Sequence, residues 1–252
     1  METRAHQIFR SRIQYLEMHL QTVDVSLTVM RRSVPTQCDE NIAITLGFEP
    51  SKYGELNHPV KEKDRIINHS RARNSEYALI TLYGYFTEYL QNILSEIYKT
   101  KPLDVVGKAP KENTISYADI VKLGSYKAIS EHIVEKIFRQ LENERSTKEL
   151  LDKILNKTVS VDETIKTNAL KYLDMRHLFV HNSGIIDQLF LSKYGKDISL
   201  KVGDKLPTTY ENARMAIEAV GLLCQTFDQD LINKGFVQQI TPAQKKQRAK
   251  AA

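Results

Sequence analysis

Cysteine is scarce in this chain of 252 residues, and the two present, Cys38 and Cys224, lack the close spacing of a metal-binding pair. That excludes a disulfide framework and a zinc knuckle, and it fits a reducing cytoplasm. No apolar run approaches the roughly 20 residues needed to cross a bilayer, so no membrane partner is expected. Met1, Glu2, Thr3 and Arg4 open the chain with charge and no apolar stretch follows, so no secretory signal is expected either. There is no G-x-x-x-x-G-K run, which removes the P-loop route to phosphate chemistry. H-E-x-x-H is missing too, so the expectation is no metal site and no cofactor.

What is present is the composition of an ordinary globular protein, 41% hydrophobic and 27% charged. The formal charge of +5 is unevenly spread. Lys245, Lys246, Arg248 and Lys250 crowd residues 236–252, a basic segment without acids that is expected to be disordered and able to graze a phosphate backbone. The remaining body stands at +1.

The expected architecture is all-α, a bundle of about five to seven helices forming a single domain over residues 1–235. Phe9, Ile13, Leu16, Leu20, Val23, Leu27, Met30 and Val34 recur at alternating spacings of four and three, which predicts one long N-terminal helix over 1–34, stopped by Pro35. Residues 35–63 form an irregular connection punctuated by Pro35, Gly47, Pro50, Gly54 and Pro59. Within it Ile42, Ile44, Leu46 and Phe48 alternate like a half-buried strand, and so do Ile198, Leu200 and Val202. The two allow a small accessory two-stranded β element. Helices are predicted over Asp64–Tyr98, over Ser116–Arg145 with a break near Gly124, and over Thr209–Asn233. Hydroxyl-to-carboxylate pairs at Ser146/Glu149, Ser160/Glu163 and Thr208/Glu211 mark helix starts.

Chemistry concentrates at the end of the helix opened near Ser160. From Leu170 to Val180 that helix is apolar nearly all round, so most of its sides are buried. Arg176 nevertheless sits in it, four residues after Tyr172 and three before Phe179. A guanidinium cannot shed its charge, so it needs a partner or an opening. His181 follows in the last turn, where the dipole favours an imidazolium, and Asn182, Ser183 and Gly184 form the stop. Five residues separate Arg176 and His181, roughly 140° around the helix. On the long second helix Glu76 extends the line of Leu79, Tyr83 and Phe86; it either ends the buried face or balances Arg176. Lys61, Lys63, Arg65, Arg71 and Arg73 cluster nearby, either as a solvated face or as a grip on RNA.

Arg176-x4-His181, with polar His177 after the arginine and Asn182-x-Gly184 after the histidine, resembles the R-x4-6-H motif of the HEPN superfamily. The resemblance implies a metal-independent RNA endonuclease, a homodimer with both Arg-His pairs lining one cleft, and a toxin-like or antiviral defence role with RNA and a neutralising protein as partners. His181 would be the general acid or base toward a ribose 2′-hydroxyl, and Arg176 would clamp the phosphate. Asn182 would hydrogen-bond the same phosphate or cap the helix, and His177 would orient its neighbours. Some HEPN toxins carry a modifiable tyrosine two residues beyond the histidine; Ser183 stands there, against that control. Two alternatives stay open. One is a catalytically silent HEPN module that binds nucleotide or RNA or scaffolds a complex. The other is a helical interaction module recruiting a partner through the Phe9–Val34 seam.

Overall fold

The computed structural model describes residues 1–35, 40–102, 115–142, 147–148, 151–152, 160–195 and 200–241. Among them lie eight α-helices and no strand. Five are long: α1 (Arg4–Ser33), α3 (Lys63–Thr100), α5 (Tyr126–Glu142), α6 (Glu163–His181) and α8 (Tyr210–Asn233). The short ones are α2 (Ile42–Thr45), α4 (Tyr117–Leu123) and α7 (Gln188–Tyr194). The count exceeds the expected seven because a supposed strand is α2.

The 38-residue α3 is the axis of the bundle and packs on α1, α5, α6 and α8; α8 in turn packs on α1 and α6. Its line Leu79, Phe86, Leu90, Ile93 and Ile97 is buried as the periodicity requires. On α1 the predicted seam divides. Phe9, Leu16 and Leu20 are fully buried, whereas Val23, Leu27 and Met30 are only half-buried, because the second half of α1 has fewer neighbours. Gly124, left-handed at φ +66°, makes the break between α4 and α5 where it was expected.

Four expectations are corrected. The stretch from Ile42 to Phe48 is not a strand: Asn41 precedes one helical turn, and Gly47 at φ +76° closes it. With no sheet edge beside it, the segment satisfies its amides locally, Gly47 to Ile44 at 2.9 Å and Phe48 to Ala43 at 2.8 Å. The accessory sheet is therefore absent among the described residues, which hold only isolated bridges, Asn41 with Pro59 and Ile185 with Lys205. The cap of α6 is Asp162 rather than Ser160: its carboxylate accepts from the amides of Thr164 and Ile165, which holds it below the usual Asp range. The cap of α8 is Thr209 rather than Thr208. Packing also continues beyond residue 235, since Val237 and Ile240 are buried and the Ile240 amide donates to Glu2 O at 3.1 Å. Cys38, the Ser146/Glu149 pair, Ile198 and the basic residues from Lys245 onward lie outside the described residues.

A polar node sits inside the apolar core. Asp228 on α8, 1% exposed, accepts from the Thr3 amide at 2.8 Å and the Thr3 hydroxyl at 2.5 Å. Tyr89 of α3 donates to Cys224 O at 3.2 Å and lies 3.5 Å from the same carboxylate. Beside them Glu96 accepts from the Ala5 amide at 3.0 Å. Burial pushes Asp228 and Glu96 above the usual carboxylate range, although the Thr3 and Ala5 donors oppose it. The same burial raises the Cys224 thiol and leaves it inert.

A carboxyl whose folded pKa is raised stabilises the fold fully below its unfolded pKa and loses that contribution as pH rises through the folded value. Asp228→Asn removes the titration and keeps the shape. The stability of the wild type relative to D228N is expected to fall as pH rises from about 4 to about 8, measured as urea midpoints. A difference that grows with pH contradicts the buried-acid reading.

Candidate functional site

The end of α6 is built outward from two tethers. Asp174, largely buried, accepts from Tyr194 Oη at 2.8 Å and Thr147 Oγ1 at 2.8 Å, and pairs with Lys193 at 3.3 Å. It thereby fastens α7 against α6 one half-turn before Arg176, and burial together with Asp174 pushes the Tyr194 hydroxyl well up. The second tether is the turn after His181. The amides of Asn182 and Gly184 both reach Leu178 O at 2.9 Å, and Asn182 Nδ2 donates to Ile185 O at 2.7 Å. Ser183 (φ +54°) and Gly184 (φ +77°) are both left-handed, and a Cβ on Gly184 would stand 3.2 Å from the Phe179 ring. The turn is stapled to the loop before α8: Leu206 donates to Gly184 O at 2.8 Å and Ile186 to Asp204 O at 2.9 Å.

On this frame Arg176 lies half-buried with its guanidinium carbon 4.6 Å from the centroid of the Tyr83 ring on α3. That is a cation–π contact across the α3–α6 seam, of about 0.5–2 kcal/mol. Among the described residues no carboxylate pairs with Arg176. Glu76, the expected counter-charge, pairs instead with Arg73 at 2.7 Å. The correction has a simple cause: Tyr83 lies two turns along the same line of α3, nearer the level of Arg176.

His177 and His181 are both exposed, and their rings meet at 4.8 Å between centroids with 44° between planes. The four-residue spacing puts them on one face of α6. Val180 lies between them, 46% exposed, and Ile185 and Leu189 continue an apolar rim. Arg176 is one position before His177, so the guanidinium and the two imidazoles share the last turn and a half of one helix. Sequence reasoning singled out Arg176, His177, His181 and Asn182, but missed the stacked histidines, which their spacing already indicates. It also missed Tyr83 as the arginine's partner and Asp174 as the tether. An acid inside an apolar helix is the signal that marks Asp174.

The basic cluster separates on inspection. Lys63 is buried, and its Nζ donates to Val34 O at 2.6 Å and Arg31 O at 3.3 Å, so it closes the end of α1 rather than meeting RNA. Arg71 pairs with Asp24 at 3.0 Å and Arg65 with Glu62 at 2.5 Å. Lys61 and Arg65 are exposed; Arg73 is exposed but tied to Glu76. A cleft of about 540 Å³ between α1 and α8 is lined by Glu2, Glu17 and Glu218 against His6 and Arg10. Three carboxylates make that cleft ill-suited to a polyanion. No group of three or more His, Cys, Asp or Glu gathers as a metal-binding set among the described residues, and no helix there is long and apolar enough to cross a membrane.

Comparison of the chain with family models, curated proteins and solved structures gives no match.

Gly184→Ala places a side chain in a left-handed residue against Phe179. It is expected to destabilise the protein by about 1–3 kcal/mol, while Ser183→Gly, which relieves a left-handed serine, is neutral or stabilising. Chemical denaturation of both variants checks the pair, and an unchanged G184A midpoint contradicts the geometry of the turn.

Proposed function

We propose that this chain is a metal-independent RNA endonuclease of HEPN type, with a toxin-like or defence role, working through the C-terminal turn of α6. The observation that carries the proposal is the juxtaposition of an arginine held flat on Tyr83 with two stacked, exposed imidazoles. Cation–π contact uses the face of the guanidinium and leaves its N–H rim for phosphate oxygens, where a bidentate grip is strongest. An imidazole titrates in the neutral range and suits proton transfer to or from a ribose hydroxyl.

The reaction needs no imported reagent. His181 takes the proton of the 2′-hydroxyl as that oxygen bonds to phosphorus. The bond to the 5′ oxygen breaks, the departing oxygen receives a proton, and a 2′,3′-cyclic phosphate remains. Arg176 neutralises charge that develops on the non-bridging oxygens. His177, against the ring of His181, is its positioning partner. Asn182 is occupied by Ile185 O, which assigns it to the turn rather than to the phosphate. All these groups belong to α6, so the site as proposed is complete within one chain.

Two outcomes are expected. His181→Ala abolishes RNA cleavage and leaves stability within about 1 kcal/mol, because an exposed helix-end side chain holds little core. Arg176→Lys keeps the charge, loses the planar fork, and lowers kcat/KM by more than about tenfold. Cleavage by the wild type persists in excess chelator and yields cyclic phosphate ends. An H181A chain that folds and still cuts, or an absolute need for magnesium, would sink the mechanism.

A further inference from the structure

The outer face of α1 is the most unusual surface of the molecule. Between Gln14 and Val29 its exposed residues are Gln14, Tyr15, Met18, His19, Gln21, Thr22, Val25, Ser26 and Val29, with no Asp, Glu, Lys or Arg among them. Tyr15 is 64% exposed, Met18 55%, Val25 61% and Val29 55%. With Thr22 they repeat at spacings of three and four, a second heptad stripe beside the buried one. The charged residues of this stretch are turned aside: Glu17 lines the cleft with α8, and Asp24 pairs with Arg71. The hydroxyls of Thr22 and Ser26 bond back to Met18 O and Thr22 O at 2.8 Å, so even the polar members ask little of water. Tyr77 of α3, 55% exposed, stacks edge-on against His19 at 5.8 Å and widens the patch. Charge depletion with exposed Tyr and Met is the composition of an interface centre.

We infer that this face pairs with the same face of a second copy, the two α1 helices running antiparallel about a twofold axis at Thr22. Three features select that occupant. A face without charge meets itself with no like-charge repulsion. The stripe is graded, large residues at Tyr15 and Met18 and small ones at Val25 and Val29. An antiparallel twofold sets Tyr15 against Val29 of the second copy and Met18 against its Val25, large on small in every layer. A parallel pair would set large on large. The five large side chains also offer on the order of 500 Å² of apolar surface per chain, which doubled reaches the roughly 1,000 Å² of a specific interface. Both α1 and α6 pack mainly on α3 and α8, from different sides. The pairing therefore leaves each Arg176–His181 site open and independent of its twin. It does not depend on the nuclease reading.

Sedimentation of the full chain at micromolar concentration is expected to show a dimer. Met18→Glu and Val25→Glu, both at exposed positions, are expected to weaken it at least about tenfold with unchanged helix content. In a Cys38→Ser background, Thr22→Cys is expected to form a disulfide dimer under mild oxidation, whereas Tyr15→Cys does so only with Val29→Cys mixed in. A monomeric wild type, a dimer untouched by both glutamates, or self-crosslinking by Tyr15→Cys in preference to Thr22→Cys overturns the inference. If a glutamate variant unfolds, the crosslinking pattern alone decides it.

Discussion

Removing an ionised group from water is costly in a helical bundle, whose backbone dipoles are already spent on their own helices. Here the inward-facing ionisable groups are held mostly by whatever dipoles remain free at helix ends or on rings. Asp228 takes the amide and hydroxyl of Thr3 just where α1 begins and its amides lack partners. Glu96 takes the amide of Ala5 one turn on. Lys63 reverses the arrangement at the other end of α1, giving its protons to the carbonyls of Arg31 and Val34. Arg176 rests on the ring of Tyr83. Each of these fixes a helix end or a helix seam, so solvation of charge and placement of elements are one problem in this fold.

The same economy shapes the proposed site. A guanidinium locked in an ion pair is already neutralised, whereas one lying on an aromatic face keeps its net charge for an incoming anion. The two histidines sit where nothing else competes for them, on the exposed side of a turn held by Asp174 and by the strap from Gly184 to Leu206. Rigid support beneath exposed titratable groups is what a proton-transfer site needs. The basic residues around Lys61 contribute less, because most are committed to carboxylates or carbonyls of their own neighbourhood.

Much of this was legible in the residues. Apolar period gave α3 and α8 nearly to their ends, because long amphipathic helices leave a signal that tertiary packing seldom overrides. Gly124 and the Asn182 to Gly184 stop were readable for the same reason, left-handed backbone being restricted to few residue types. The segment from Ile42 to Phe48 misled because alternation says which residues are apolar, not whether a sheet edge waits beside them. The Ser160 cap failed by two residues: Asp162 offers a carboxylate closer to the first turn. Arg176 was visible as an anomaly, yet its partner was sought among carboxylates when the line through Tyr83 held an aromatic. Long-range pairs such as Thr3 with Asp228 leave no trace in local pattern at all.

Lys63 has a consequence for how α1 comes apart. Only the first half of this 30-residue helix is deeply buried, and such a helix ordinarily frays from its unsupported end. The ammonium that closes the carbonyls at Arg31 and Val34, above the small cluster of Val34, Ile42 and Val60, anchors that end to the start of α3. Opening there means breaking a buried charge contact and unseating the connection from Ile42 to Val60 at once. The second half of α1 therefore opens with the α1–α3 corner as one cooperative step, not residue by residue, and its amides exchange with solvent as a group.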